Sequence, residues 1–201
     1  MAPASRAVFF GLADSAFAGR EASYTGCMNT TAKSLVLAAL LIGAIAAPAA
    51  QVPASSPQTA LAVLAPLIGA DWRAALPTGQ LTDTQHFEWM YDHMFIRSPH
   101  HVDTADGKTV YTGETVYGWD ARAHQIVWWY WNETGGYLTG TLTPNPDSSL
   151  FLEGENHGPA DQLDRTRQTI RIANDSWTME SSEQKAGHWT PAVTRTFQKV
   201  K

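Results

Sequence analysis

The sequence predicts an all-β protein, a single antiparallel up-and-down β-barrel of about 8–10 strands preceded by a short N-terminal helix. Three observations carry that expectation. From Trp72 to Val200 the chain is a succession of short, aromatic-rich segments with apolar and polar residues alternating. Turn residues separate them at Asp106-Gly107, Asn132–Gly136 and Asn145-Pro146-Asp147. No sustained helical period follows Trp72, so the sheet has no helical layer to lie on, and closing on itself is the economical way to remove its edges.

The N-terminal part has a different character. Lys33, the apolar run Leu35–Ala46 and the small-residue site Ala47-Pro48-Ala49 follow the order of a secretory signal. The run is shorter than the roughly 20 residues that span a bilayer, so a cleaved signal over residues 28–50 is the expectation and an anchor is not. Met28 stands at the head of that signal, so residues 1–27 are expected to be an upstream extension outside the natural product. The one cysteine, Cys27, falls in the extension, so the exported protein, periplasmic or secreted, would have no disulfide framework. Residues 51–58 read as a Pro- and Ser-bearing linker, and residues 59–201 as the barrel domain. Leu61, Leu64, Leu67 and Ile68 recur at helical spacing, and Pro66 limits the Thr59–Ile68 helix to a couple of turns.

The strands follow in order. Trp72–Leu76 comes first. Thr84–Ile96 alternates throughout, with Phe87, Trp89, Tyr91, His93 and Phe95 on one face and His86, Glu88, Met90, Asp92 and Met94 on the other. Asp106-Gly107 leads into Thr109–Trp119. Then come Gln125–Trp131, Tyr137–Thr143, Leu150–Glu155, Arg167–Ala173, Trp177–Ser182 and Val193–Val200.

The whole chain carries a formal charge of −5. Without residues 1–49, which hold Arg6, Arg20, Lys33, Asp14 and Glu21, 11 basic residues face 17 acidic ones. These charges are dispersed and form no basic stripe, so a nucleic-acid partner is excluded.

The inward aromatic set predicts a ligand pocket lined by Phe87, Trp89, Tyr91, His93, Tyr111, Tyr117, Trp128 and Tyr130, suited to a small apolar or aromatic molecule. The competing reading is that these rings fill the barrel. An enzyme of the barrel type is the alternative, with His93 and a carboxylate such as Glu114 or Asp120 as an acid–base pair. Val127–Trp131 is apolar on both faces, with Ile126, Trp128 and Tyr130 opposite Val127, Trp129 and Trp131. Its outer face is covered by the N-terminal helix, by a second copy in a homodimer through Trp129 and Trp131, or by another partner or lipid; an interaction module presenting those tryptophans is thus a further reading. His86, Glu88, Asp92, His100, His101 and Asp103 are metal-ligand types without zinc spacing, so neither metal nor cofactor is expected. No nucleophile elbow, metalloprotease helix, P-loop or dinucleotide fingerprint occurs.

The helix leading to Gly69-Ala70-Asp71-Trp72, the Gly118-Trp119-Asp120 step, the Leu152-Glu153-Gly154 strand with its acidic loop, and Arg195 in the last strand together resemble the lipocalin-like calycin barrels. The chain is similar in particular to the bacterial family of unknown function DUF1579, over about Leu61–Lys201. That resemblance implies a barrel with an internal cavity and no assigned chemistry. Trp72 and Arg195 lie on the first and last strands, neighbours in a closed barrel, where the guanidinium is expected over the indole.

Overall fold

The computed structural model describes residues 56–77, 79–158 and 164–201, and the expected extension and signal segments lie outside them. The helix begins earlier than its periodicity suggests. Ser56 caps it by accepting from the Thr59 backbone N–H at 3.3 Å, and Pro57 occupies the first turn of α1 (Pro57–Leu61). A Ser-Pro pair that reads as linker is here a helix start. A 3-10 segment, Ala62–Leu67, accommodates Pro66. Leu61, Leu64 and Leu67 are fully buried, and Trp72 Nε1–H donates to the Leu67 carbonyl at 2.9 Å, tying the helix to the first strand.

The strands are β1 (Asp71–Ala75), β2 (Leu81–His86), β3 (Glu88–Met90), β4 (Phe95–Thr104), β5 (Thr109–Asp120), β6 (Gln125–Asn132), β7 (Tyr137–Pro144), β8 (Leu150–Asn156), β9 (Arg165–Ile172), β10 (Ser176–Lys185), β11 (His188–Trp189) and β12 (Val193–Lys199). β2 and β3 both run along β4, and β11 and β12 both run along β10, so each pair is one interrupted strand. The result is a closed ten-stranded antiparallel barrel. Each strand pairs with the next in sequence, and β12 returns to β1 with Trp72 opposite Lys199.

The structure corrects the reading of Thr84–Ile96 as one strand. Pairing with β4 stops after Gln85 and resumes at Glu88, and the register places Ser98 and Pro99 opposite that gap. Pro99 has no N–H to give a ladder, so the interruption falls where a bond is missing anyway. The chain then reverses through Tyr91–Met94, where Tyr91, Asp92 and His93 all take left-handed backbone angles, φ 48°, 54° and 65°. Alternation runs on through this turn in the sequence, but facing does not. Trp89 pairs with Ile96, and beyond the turn the inward positions are Ile96, Ser98, His100 and Val102.

The core is one cluster in which the helix leucines join barrel residues. Trp177 stacks on Phe197, with ring centroids 4.0 Å apart and planes 3° from parallel, and Phe87 meets Trp177 edge-on at 6.0 Å. The expected Arg195–Trp72 contact is replaced. Register sets Lys199 opposite Trp72, and its Nζ lies 5.8 Å from the indole centroid. Arg195, four residues earlier on the same face, turns into the barrel instead.

Candidate functional site

The barrel encloses a cavity of about 70 Å³ whose two sides differ. Tyr117, Trp128, Leu138, Leu152, Ile170 and Met179 make an aromatic and apolar wall. Asp83, Gln85, Ser98, His100, Gln168 and Arg195 make a polar one.

Glycines shape the apolar wall. Across the sheet Trp128 pairs with Gly140, and Gly140 with Gly154. A Cβ at Gly140 would stand 2.7 Å from Trp128 Cζ2, and one at Gly154 would come nearer still. The indole therefore lies flat over two side-chain-free positions, and its Nε1–H donates to the Thr141 carbonyl at 3.1 Å. Held against the wall, the largest side chain of this region leaves the lumen open.

The polar wall is a connected chain. Asp83 is 1% exposed. One of its oxygens lies 3.2 Å from His100 Nδ1, and the other 3.9 Å from Arg195 Nη1. His100 Nε2 is 3.2 Å from the Tyr130 hydroxyl, which shares a short hydrogen bond with the Tyr111 hydroxyl. A carboxylate only accepts, so Nδ1 carries the proton in this arrangement. For a neutral imidazole, Nε2 then accepts from Tyr130, and Tyr130 from Tyr111. Gly113 makes this approach feasible, since a Cβ there would lie 2.5 Å from the Tyr130 oxygen and 2.6 Å from His100 Nε2. Burial pushes the Tyr111, Tyr117 and Tyr130 hydroxyls above the ordinary phenol range; at Tyr111 hydrogen bonding with Tyr130 and Asn132 partly opposes this. All three are thus neutral hydrogen-bonding groups at physiological pH.

Three polar atoms on cavity-lining side chains have no hydrogen-bond partner among the described residues: Ser98 Oγ, Trp177 Nε1 and Arg195 Nε. Buried polar groups are nearly always satisfied, so on these three lining side chains the partner is left for something other than the protein to supply.

Of the residues expected at a pocket, Tyr117, Trp128 and Tyr130 line the cavity, and Tyr111 stands behind Tyr130. Phe87 is buried against Trp177. Trp89 and His93 pack on each other at 5.0 Å beside the β3–β4 turn, and Tyr91 in that turn is 74% exposed; none of these three lines the cavity. The carboxylates weighed with His93 face elsewhere. Asp120 accepts from the Arg122 and Ala123 amides at 2.9 Å, bracing the β5–β6 turn, and Glu114 pairs across the sheet with Trp131 on the outward side. The histidine that reaches the cavity is His100. Asp83 and Gln85 share the parity of Phe87, which is the one sequence signal that could have placed them inside.

On the outer face, Phe95 and Trp129 close over Gly118, where a Cβ would lie 2.8 Å from Phe95 Cε1 and 3.3 Å from Trp129 Cζ3. Trp129 is half-buried by this contact, and Trp131 remains 45% exposed. Among the described residues no group of three or more His, Cys, Asp or Glu side chains is placed to hold a metal ion.

No family model matches the sequence, and no curated protein does either. The resemblance to DUF1579 therefore has no family model behind it. Among solved structures the chain is similar to that described as "Crystal Structure of Rv2717c from M. tuberculosis", at 18% sequence identity and a TM-score of 0.52. The match covers 71% of this chain and 98% of that one. At such identity the likeness concerns the fold alone, and the chain shares with Rv2717c the architecture of an antiparallel β-barrel.

Proposed function

We propose that this protein is an exported, non-enzymatic barrel that binds a small organic molecule in its cavity, an apolar or aromatic part of the ligand lying against Trp128 and Tyr117. The observation that carries this reading is the Trp128 indole held on Gly140 and Gly154, which keeps space inside a barrel rich enough in aromatics to have filled itself. Size limits the ligand. The enclosed volume of about 70 Å³ is below the roughly 150 Å³ of a cavity that holds benzene, so only a small group is enclosed and a larger molecule must extend toward the mouth. Covering one ring face contributes on the order of 1 kcal/mol or more at about 25 cal/mol per Å².

The test is paired. Toluene and 1-naphthol are titrated against tryptophan fluorescence and by calorimetry, and Trp128→Ala is compared with the parent in affinity and unfolding midpoint. Saturable binding by the parent, weakened about tenfold in the variant, supports the reading. No binding by the parent, together with a stability loss of roughly 3–5 kcal/mol in the variant, is the result of a filled core and would end it. Export rests on the Lys33–Ala50 pattern, and N-terminal sequencing of protein recovered from its native source, starting before Met28, would refute it.

A second reading is favoured by one observation, the Asp83–His100–Tyr130 chain, which has the form of an oriented acid–base group facing a cavity. It predicts chemical change in a bound ligand; a ligand recovered unaltered after long incubation counts against it.

A further inference from the structure

We infer that the ligand of this cavity carries a carboxylate, held by Arg195, Trp177 and Ser98, and that it is a small monocarboxylate whose apolar remainder faces the Trp128 wall. This rests on the proposed binding function and names the chemistry of its ligand. The indole N–H of Trp177 can only donate, and the ring is 2% exposed and fixed by its stack on Phe197. The ring cannot turn its N–H out of the barrel, so any partner must come into the cavity. The Nε–H of Arg195 is likewise only a donor and is buried without a hydrogen-bond partner among the described residues. Among the described residues the guanidinium makes one long ion pair, 3.9 Å to Asp83, with the Glu183 carboxyl also within its field, and no hydrogen bond, so most of its donors are uncommitted. Ser98, 3% exposed, adds a hydroxyl that can donate to the same acceptor.

Among the side chains that line the cavity, unmet donors outnumber unmet acceptors; the Glu183 oxygens, also without a hydrogen bond, lie outside the lining, and Glu183 pairs with Lys185 at 3.2 Å. The Asp83 oxygens already face His100 and Arg195, and His100 Nε2 faces Tyr130. The missing partner is therefore an acceptor with more than one lone-pair site, and beside a guanidinium the best-matched group is a carboxylate. Size points the same way. A cavity of about 70 Å³ with apolar side chains opposite encloses a carboxylate with a short chain, and a ring on such an acid extends toward the mouth, whereas a long acyl chain has no enclosed path.

The probes are propionate, phenylacetate and 2-phenylethanol, the last two sharing a ring and differing in the head group. Binding is read by tryptophan fluorescence and calorimetry, with unfolding midpoints measured alongside. Phenylacetate should bind at least about tenfold more tightly than 2-phenylethanol, as expected for hydrogen bonds to a charged group. Trp177→Phe keeps the stack on Phe197 and deletes the N–H; it should weaken phenylacetate severalfold and leave 2-phenylethanol unchanged. Arg195→Met should abolish the preference for the acid. Because that change leaves Asp83 without its cation, Trp177→Phe keeps the inference testable if Arg195→Met does not fold. Equal binding of acid and alcohol, or a preference that survives Trp177→Phe and Arg195→Met unchanged, overturns the carboxylate while the binding function stands. If no probe binds at millimolar concentration, both fall, and water alone satisfies the three groups.

Discussion

Replacing Gly154 by alanine tests the central geometric claim, that Trp128 is docked on a wall made of glycines. The added methyl would meet the Trp128 ring at a separation that real side chains do not show, with the Thr139 carbonyl 2.8 Å away on the other side. The carbonyl belongs to a paired strand and cannot retreat, so the indole must move into the cavity. Overpacking of this kind costs about 1–3 kcal/mol. At roughly 3–5 °C per kcal/mol for a domain of this size, thermal unfolding followed by circular dichroism should show a loss of about 3–15 °C. Ligand binding should weaken in the same variant, because the displaced ring occupies the site. A double-mutant cycle with Trp128→Phe isolates the cause. Phenylalanine lacks the indole carbons that the methyl strikes, so the two changes together should cost at least about 0.5–1 kcal/mol less than their sum. Rescue is incomplete, since Thr139 remains. An unchanged midpoint and affinity in Gly154→Ala, or strict additivity in the cycle, would refute the reasoning.

Other outcomes follow from the polar wall and its surroundings. Gly113→Ala should lower stability by about 1–3 kcal/mol in chemical denaturation, by forcing His100 and Tyr130 apart; equality with the parent would contradict that packing. Glu183 is 3% exposed, and burial pushes its carboxyl above the usual range against the opposing pull of Lys185 at 3.2 Å. A folded-state value above the unfolded one means that its stability contribution is complete below the ordinary glutamate range and is lost as pH rises through the raised value. Glu183→Gln should thus match the parent at low pH and exceed it in urea midpoint at pH 8. Tyr111, Tyr117 and Tyr130 should contribute no phenolate absorbance in an alkaline titration until the barrel unfolds, so fewer than the six tyrosines of the chain titrate while it is native.

Much of the barrel is written plainly in the chain. From Thr109 onward, alternation and turn residues place the strands to within a few residues, because each strand has a buried face and each turn is flagged by Gly, Asn or Asp. The failure lies between Thr84 and Thr104. The reversal at Tyr91–Met94 is made by left-handed Tyr, Asp and His residues, without glycine or proline to announce it, and the aromatic alternation continues through it. Pro99 then disguises β4, although it sits where the neighbouring ladder is already interrupted. With that turn unseen, the facing of Ser98 and His100 could not be assigned. The aromatic lining was therefore legible in Tyr117, Trp128 and Tyr130, and the Asp83, Ser98 and His100 side of the cavity was not. Polar residues such as Asp83 and His100 read as solvated in any strand until three-dimensional closure turns them inward.

The seam between β12 and β1 governs how the molecule comes into being. Every other pairing in the ring joins stretches adjacent along the chain, so the meander can assemble hairpin by hairpin with little loop-closure entropy at each step. The seam alone joins the two ends of the ring, Trp72 with Lys199, and it must wait for the last strand to arrive. That same strand brings Arg195 across to Asp83 on β2. A chain stopped before Val193 would lack both the closing ladder and the one cation of the polar wall, leaving Asp83 uncompensated beside an open edge. Completion of the ring and completion of the cavity's charge pair are therefore brought about by the same strand.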